Sequence, residues 1–355
     1  MPWRLAALSL LAGTSLLLGG CSGPHDDVIG KVKALAEKDQ YLAAHKVLEA
    51  EIVQAPNAPE LMELRLELLL QAAHPALAAE AYQNLEARAE LQSDLPVQYL
   101  EDGTPEQQLA AIRAMALLGG ARWLEPLSAK YGAEDSELRR AVISALGDLR
   151  DPAATNLLIR ALQDAHWAVR ADAAQALGKL RDPKAVIPLF EAMSDEDQSV
   201  VLSCGNALLS ISKEETAPVD LYAKYVESPR KETRKIALIG LALQQDPRGT
   251  AGLIELAQSD NARDQYQAVR ALGRSGDAAA IPVVRKALKS TEPAIRLQAV
   301  ESLGQLRDTA SVPALKKIVT SKQEPYELKR QAAVSLLEIV GEDEPAPGTQ
   351  QVKAK

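Results

Sequence analysis

Few side chains in this sequence suit covalent or metal chemistry: Cys21, Cys204, His25, His45, His74 and His166. A zinc or iron centre needs several imidazole, thiolate or carboxylate ligands converging from neighbouring elements. Past residue 106 only His166 and Cys204 are of the soft kind, and they make no ligand set. No GxSxG elbow and no Walker-type phosphate loop occurs. Paired acids are abundant, but their positions suit helix caps and solvated faces. Two other chemistries remain. Cys21, preceded by Leu18, Gly19 and Gly20, is a thiol that directly follows an apolar run and two small residues. Arg285, Lys286 and Lys289 recur one repeat later as Lys316 and Lys317, a candidate cationic ridge. His166 and Trp167 in "DAHWAVR" fall in a turn; packing on the adjacent repeat is expected, with an exposed interface anchor as the alternative.

The elements that must position these residues begin with a targeting segment. A short basic start, Met1-Pro2-Trp3-Arg4, leads into an apolar run from Leu5 to Leu18. That run is shorter than the roughly twenty residues a bilayer-spanning helix needs. "LGGC" at 18–21 resembles the lipobox of bacterial lipoproteins. The resemblance implies cleavage before Cys21, a diacylglycerol thioether on its sulfur and an acylated amino terminus, which together give stable anchoring. Ser22 in place of aspartate implies the outer membrane, with the periplasmic face expected over the cell surface. The linker 22–28 extends no more than roughly 25 Å, so the folded part is expected near its membrane.

The chain has 355 residues, of which 47% are apolar and only 3% aromatic. That balance favours closely packed helices over sheets. With Cys21 lipidated, Cys204 has no disulfide partner. The net charge of −8 makes broad adsorption to nucleic acid unexpected. Its distribution is uneven: residues 26–110 carry 16 acidic and 6 basic side chains, and residues 281–330 carry 5 acidic and 10 basic.

Residues 31–92 read as helical hairpins, with prolines 59 and 75 at helix starts. Tyr41, Ala44, Leu48 and Pro56 in "DQYLAAHKVLEAEIVQAPNAPE" resemble the second half of a tetratricopeptide repeat. Residues 93–105 form a junction. Beyond it, "LGDLRDP" at 146–152 returns as "LGKLRDP" at 177–183, and the leucine recurs at 146, 177, 208, 241, 272, 303 and 336. Four residues before each stands Val142, Ala173, Cys204, Ala237, Ala268, Ala299 or Ala332, a small–large pair that marks a buried helical stripe. Cys204 in that column is expected to be an inert core thiol. Asp151, Asp182, Asp246, Asp277 and Asp308 follow the leucines by five and suit N-caps. Arg139, Arg170, Arg234, Arg296 and Lys329 precede them by seven, and an arginine–aspartate ladder between repeats is expected. Glycine after the leucine is replaced by leucine or alanine in three copies, so close packing and not a positive φ explains it. The Leu208 copy departs most, with "SKEETAPVD" in place of the Asp-Pro turn, and a local change of curvature is expected there.

This pattern, clearest in "VRADAAQALGKLRDPKAVIPLFEAM" at 169–193, resembles the HEAT-like repeats first recognised in phycobilin lyase subunits. The resemblance implies an all-α chain: a right-handed α-solenoid of HEAT-like helix pairs over 106–341, preceded by the short tetratricopeptide-like module and followed by a disordered tail, 342–355. It also implies that second helices, which carry the lysines, line the concave face. Deoxyhypusine hydroxylase shares the repeat and binds iron through His-Glu pairs, but the sequence contains no His-Glu dipeptide. Phycobilin lyases are cytoplasmic, which the lipobox contradicts. The chain is therefore expected not to be an enzyme and to need no cofactor, metal or small-molecule substrate. The expectation is a membrane-anchored lipoprotein that scaffolds other envelope proteins. The alternative is binding of an anionic envelope polymer by the basic ridge.

Overall fold

The computed structural model describes residues 25–56, 58–89, 93–214 and 216–341. The signal segment 1–20, the lipobox residues Leu18, Gly19 and Gly20, Cys21 and the tail 342–355 lie outside the described residues. Among the described residues all regular structure is helical, and no helix is long and apolar enough to cross a membrane. The chain forms two compact units, one ending at Ala176 and the other starting at Leu177.

The first unit opens with α1 (Asp26–Ala36), α2 (Tyr41–Gln54), α3 (Pro59–Gln71) and α4 (Pro75–Ala89). Val32, Ala44, Leu48, Leu61, Leu64 and Leu68 share one core, so the small and bulky positions of the α2 motif face inward. α5 (Leu95–Asp102) and α6 (Pro105–Leu118) follow. Thr104 and Gln107 close a reciprocal capping box at the start of α6. Then come α7 (Leu124–Lys130), α8 (Ser136–Leu149), α9 (Thr155–Ala161) and α10 (Trp167–Leu180), within which the division into units falls.

The second unit continues with α11 (Val186–Ala192), α12 (Gln198–Ile211), α13 (Val219–Ala223), α14 (Lys231–Leu243), α15 (Pro247–Leu256) and α16 (Ala262–Ser275). It ends with α17 (Ile281–Ala287), α18 (Pro293–Gln305), α19 (Val312–Thr320) and α20 (Tyr326–Val340). The seven column leucines and their small partners at i−4 are all buried, at 0% exposure except for Leu336 at 8%. Removing this stripe from water is the main driving force for stacking, at roughly 25 cal/mol per Å² of apolar surface.

First helices approach closely where the glycine column allows. A Cβ built on Gly304 would lie 2.8 Å from Ser335 Cβ, and one on Gly273 would lie 2.5 Å from Ser302 Cβ. The two serines are fully buried, and their hydroxyls donate across the interface to the carbonyls of Val300 (2.9 Å) and Val269 (3.0 Å). Positive φ occurs instead just before the aspartate column, at Arg150, Arg181, Gln245, Gly276 and Arg307. Only one of these is glycine, and a left-handed conformation is costly for the others.

The aspartates then cap the next turn. Asp151, Asp182, Asp246 and Asp277 each accept a backbone N–H two residues on, at 2.9 Å. At 151, 182, 277 and 308 a short 3₁₀ turn precedes the second helix, so the helices start later than an Asp-Pro reading suggests. In the divergent repeat the second helix, α13, is five residues long. Tyr222 fills the space at 0% exposure, edge-on to Phe190 at 5.4 Å, with its hydroxyl donating to the Leu208 carbonyl.

Candidate functional site

A groove of about 540 Å³ lies in the second unit, along three successive first helices. Its lining follows helical periods on each. α14 contributes Glu232, Lys235, Ile236, Ile239 and Leu243, so it forms a floor parallel to the helix axis. α12 contributes a mixed wall, Val201, Leu202, Gly205 and Leu209 together with the polar Gln198, Asn206 and Ser210, with Lys213 just past its end. α16 contributes Arg263, Gln267, Arg270 and Arg274, spaced i, i+4, i+7 and i+11, which puts them on one stripe. Gly205 matters for the shape: a Cβ there would lie 3.2 Å from Ile236 Cδ1, so the wall can close on the floor without a side chain between.

Leu202 is 55% exposed and is the most open apolar side chain of the groove. Arg263, Arg270 and Arg274 are exposed as well. Lys235 is the opposite case, 5% exposed with its ammonium 2.9 Å from both Glu232 and Asp264. Lys235 offsets one of these two carboxylate charges, and the three exposed arginines outweigh the one that remains.

The residues singled out from sequence lie elsewhere. Arg285 and Lys286 end α17, Lys289 lies in the turn past it, and Lys316 and Lys317 are on α19; all five are exposed. Arg285 is bound, however: its guanidinium grips the buried carboxylate of Asp308, which also accepts from Ser311. The Arg285 hydrogen bond holds the Asp308 carboxyl below its usual range against the opposing effect of burial. The second-helix lysines do not line this groove, which runs over first helices.

His166 and Trp167 are brought together, with rings stacked at 6.0 Å and 21°. Trp167 is 46% exposed, so its ring is half covered and half open to solvent. It is the first residue of α10, and His166 Nδ1 accepts from Ala168 N–H at 3.3 Å, so the imidazole serves as an N-cap.

The arginine ladder also takes a different form. Arg139 donates two 2.9 Å hydrogen bonds to Asp164 and two more to the carbonyls of Ala133 and Glu134. Asp164 also accepts from Tyr131 (3.0 Å) and His166 N–H (2.9 Å). Burial would raise this carboxyl, but the bonds from Arg139, His166 and Tyr131 outweigh it and hold it below the usual range. Arg170 and Arg234 reach back in the same way to carbonyls six residues earlier, and Arg296 pairs with Glu324 at 2.6 Å. The basic column therefore ties turns, and the aspartate column caps helices. Cys204 is fully buried, and burial pushes its thiol up to about 12. No group of three or more metal-ligating side chains is assembled among the described residues.

The sequence matches the family model for HEAT repeats over residues 93–168, 124–208, 157–242 and 250–338. No curated protein sequence matches it. Among solved structures it is similar to Kap95p bound to RanGDP, at 13% identity and a TM-score of 0.57, covering 95% of this chain and 54% of that one. It is also similar to human deoxyhypusine hydroxylase (21% identity, TM-score 0.31, 70% and 95% covered). A further match is the CpcE–CpcF complex of phycocyanin lyase from Nostoc sp. PCC7120 (19% identity, TM-score 0.37, 70% and 95% covered). The expectation that the chain is not an enzyme is corrected by these two: enzymes are among the structures it resembles, so the exclusion is withdrawn. At such identities the likeness is one of fold alone and assigns no activity. With its repeats matched across more than half of its length, the chain belongs to the HEAT repeat family.

Proposed function

We propose that this chain is a lipid-anchored scaffold of the bacterial envelope that holds protein partners on the faces of its repeats. The observation that carries this reading is the groove of the second unit, a strip of apolar side chains beside an exposed arginine stripe, open across three repeats. Stacked repeats supply such extended surfaces because each unit buries its own apolar stripe against its neighbours and leaves the outer faces to vary. Kap95p, alike in fold only, binds RanGDP. The anchor rests on the lipobox resemblance at Leu18 to Cys21.

The test is crosslinking in intact cells followed by mass spectrometry of captured proteins, together with membrane fractionation of Cys21→Ser. The scaffold reading expects a reproducible set of envelope proteins with wild type and release of Cys21→Ser from the membrane fraction. Capture of nothing specific removes the scaffold; retention of Cys21→Ser in the membrane removes the lipid anchor. A second reading, binding of an anionic envelope polymer, is supported by the exposed Lys286, Lys289, Lys316 and Lys317. It expects binding that falls steeply with salt and is lost when these four become glutamate.

A further inference from the structure

We propose that the groove over α12, α14 and α16 receives an amphipathic helix of a partner protein, apolar on its inward face and carrying aspartate or glutamate along the edge that meets α16. This names the partner class for the binding role proposed above and rests on that reading.

The lining pattern favours a helix. On α14 the floor residues run from Glu232 to Leu243, three turns of one face and about 16 Å of axis at 1.5 Å per residue. A trough parallel to its own helices, with one wall thinned at Gly205, accepts a fourth helix in the manner of helix-in-groove recognition. Ile236, Ile239 and Leu243 of the floor and Leu202 and Leu209 of the α12 wall make an apolar strip, flanked by Gln198, Asn206 and Ser210, and a polyanion has no use for that strip. The opposite wall is cationic along its whole length through Arg263, Arg270 and Arg274. Lys235 pairs with both Glu232 and Asp264, so one negative charge remains from these acids against the three arginines, and that wall stays net positive. In a chain of net charge −8 this local reversal of sign selects for acidic side chains and against a basic segment.

The experiment uses the full chain in detergent micelles and fluorescein-labelled peptides of about twenty residues, read by anisotropy. One peptide has leucines at helical spacing flanked by glutamates; a second replaces the glutamates by lysines; a third scrambles the first so that its helical period is lost. The first should bind, and the other two should bind at least tenfold more weakly. Arg263→Glu/Arg270→Glu/Arg274→Glu should weaken the first at least tenfold and improve the second. Leu202→Glu should weaken the first while leaving the melting curve in place, and it carries the test if the triple variant does not fold. The proposal is overturned if the first peptide is not bound, if its scrambled form binds equally, or if the triple variant binds it like wild type. Full competition by polyglutamate or by phosphatidylglycerol vesicles also overturns it, because a bare polyanion or a lipid surface would then suffice. The two readings separate in cells: partners still crosslinked by the triple variant remove the groove proposal and keep the scaffold, and an empty wild-type capture removes the scaffold.

Discussion

Arg139 and Asp164 show how much one side chain can hold in a repeat of this kind. A guanidinium that makes two bonds to a carboxylate and two to turn carbonyls fixes the geometry between one helix pair and the next. Asp164→Asn should therefore cost about 2–3 kcal/mol at pH 7, below the cost of breaking a fully buried pair because Arg139 keeps some contact with water. The folded carboxyl lies below its unfolded value of about 3.9, so its contribution is present above that pH and is lost as pH falls through the folded value. Urea denaturation should show the gap between variant and wild type at pH 7 and its narrowing below about pH 4; a gap that stays constant to pH 2 would refute the role. The basic and acidic columns were visible in the sequence, but not who pairs with whom. The acid five residues after the leucine is consumed by the N–H groups beside it, and the acid that reaches Arg139 sits 25 residues on, in the turn before the next first helix. Arg285 belongs to no column, yet it secures Asp308.

The first-helix stripe was legible because its period is that of a helix and its small and large members alternate through seven copies. The same pattern explains the glycine column, whose residues face a neighbouring backbone. Gly304→Ala should destabilise by about 1–3 kcal/mol through overpacking against Ser335, and thermal melts should show it; Gly304→Ala combined with Ser335→Gly should recover part of the loss. The groove was not legible in that way, since attention to the repeat register hides whatever departs from it. Two signals could have revealed it. α12, "QSVVLSCGNALLSI", is apolar on more than its core face, which marks either deep burial or an occupied surface. The arginines of α16 recur at seven and eleven residues from the first, a stripe that owes nothing to the 31-residue period. The shortness of α13 was foreshadowed by "SKEETAPVD", but that Tyr222 would replace the missing turn was not, because a tyrosine reads equally well as surface.

At the scale of the whole molecule, a net charge of −8 describes solubility and says little about recognition, because the arginine stripe of α16 reverses the sign locally. The HEAT repeat match likewise defines how the chain is built and leaves its activity to particular side chains. Cys204 offers a way to watch that recognition without touching it. Its thiol is fully enclosed in α12, the helix that forms one wall of the groove, and burial makes the thiolate scarce at neutral pH. Modification by a disulfide reagent therefore waits for a local opening of that wall, and its rate measures how often the wall lets go. An acidic helix seated against α12 should slow the labelling in proportion to its occupancy, while a ligand bound at the lysines of α17 and α19 should leave it unchanged. The core cysteine thus acts as a reporter clock for the groove.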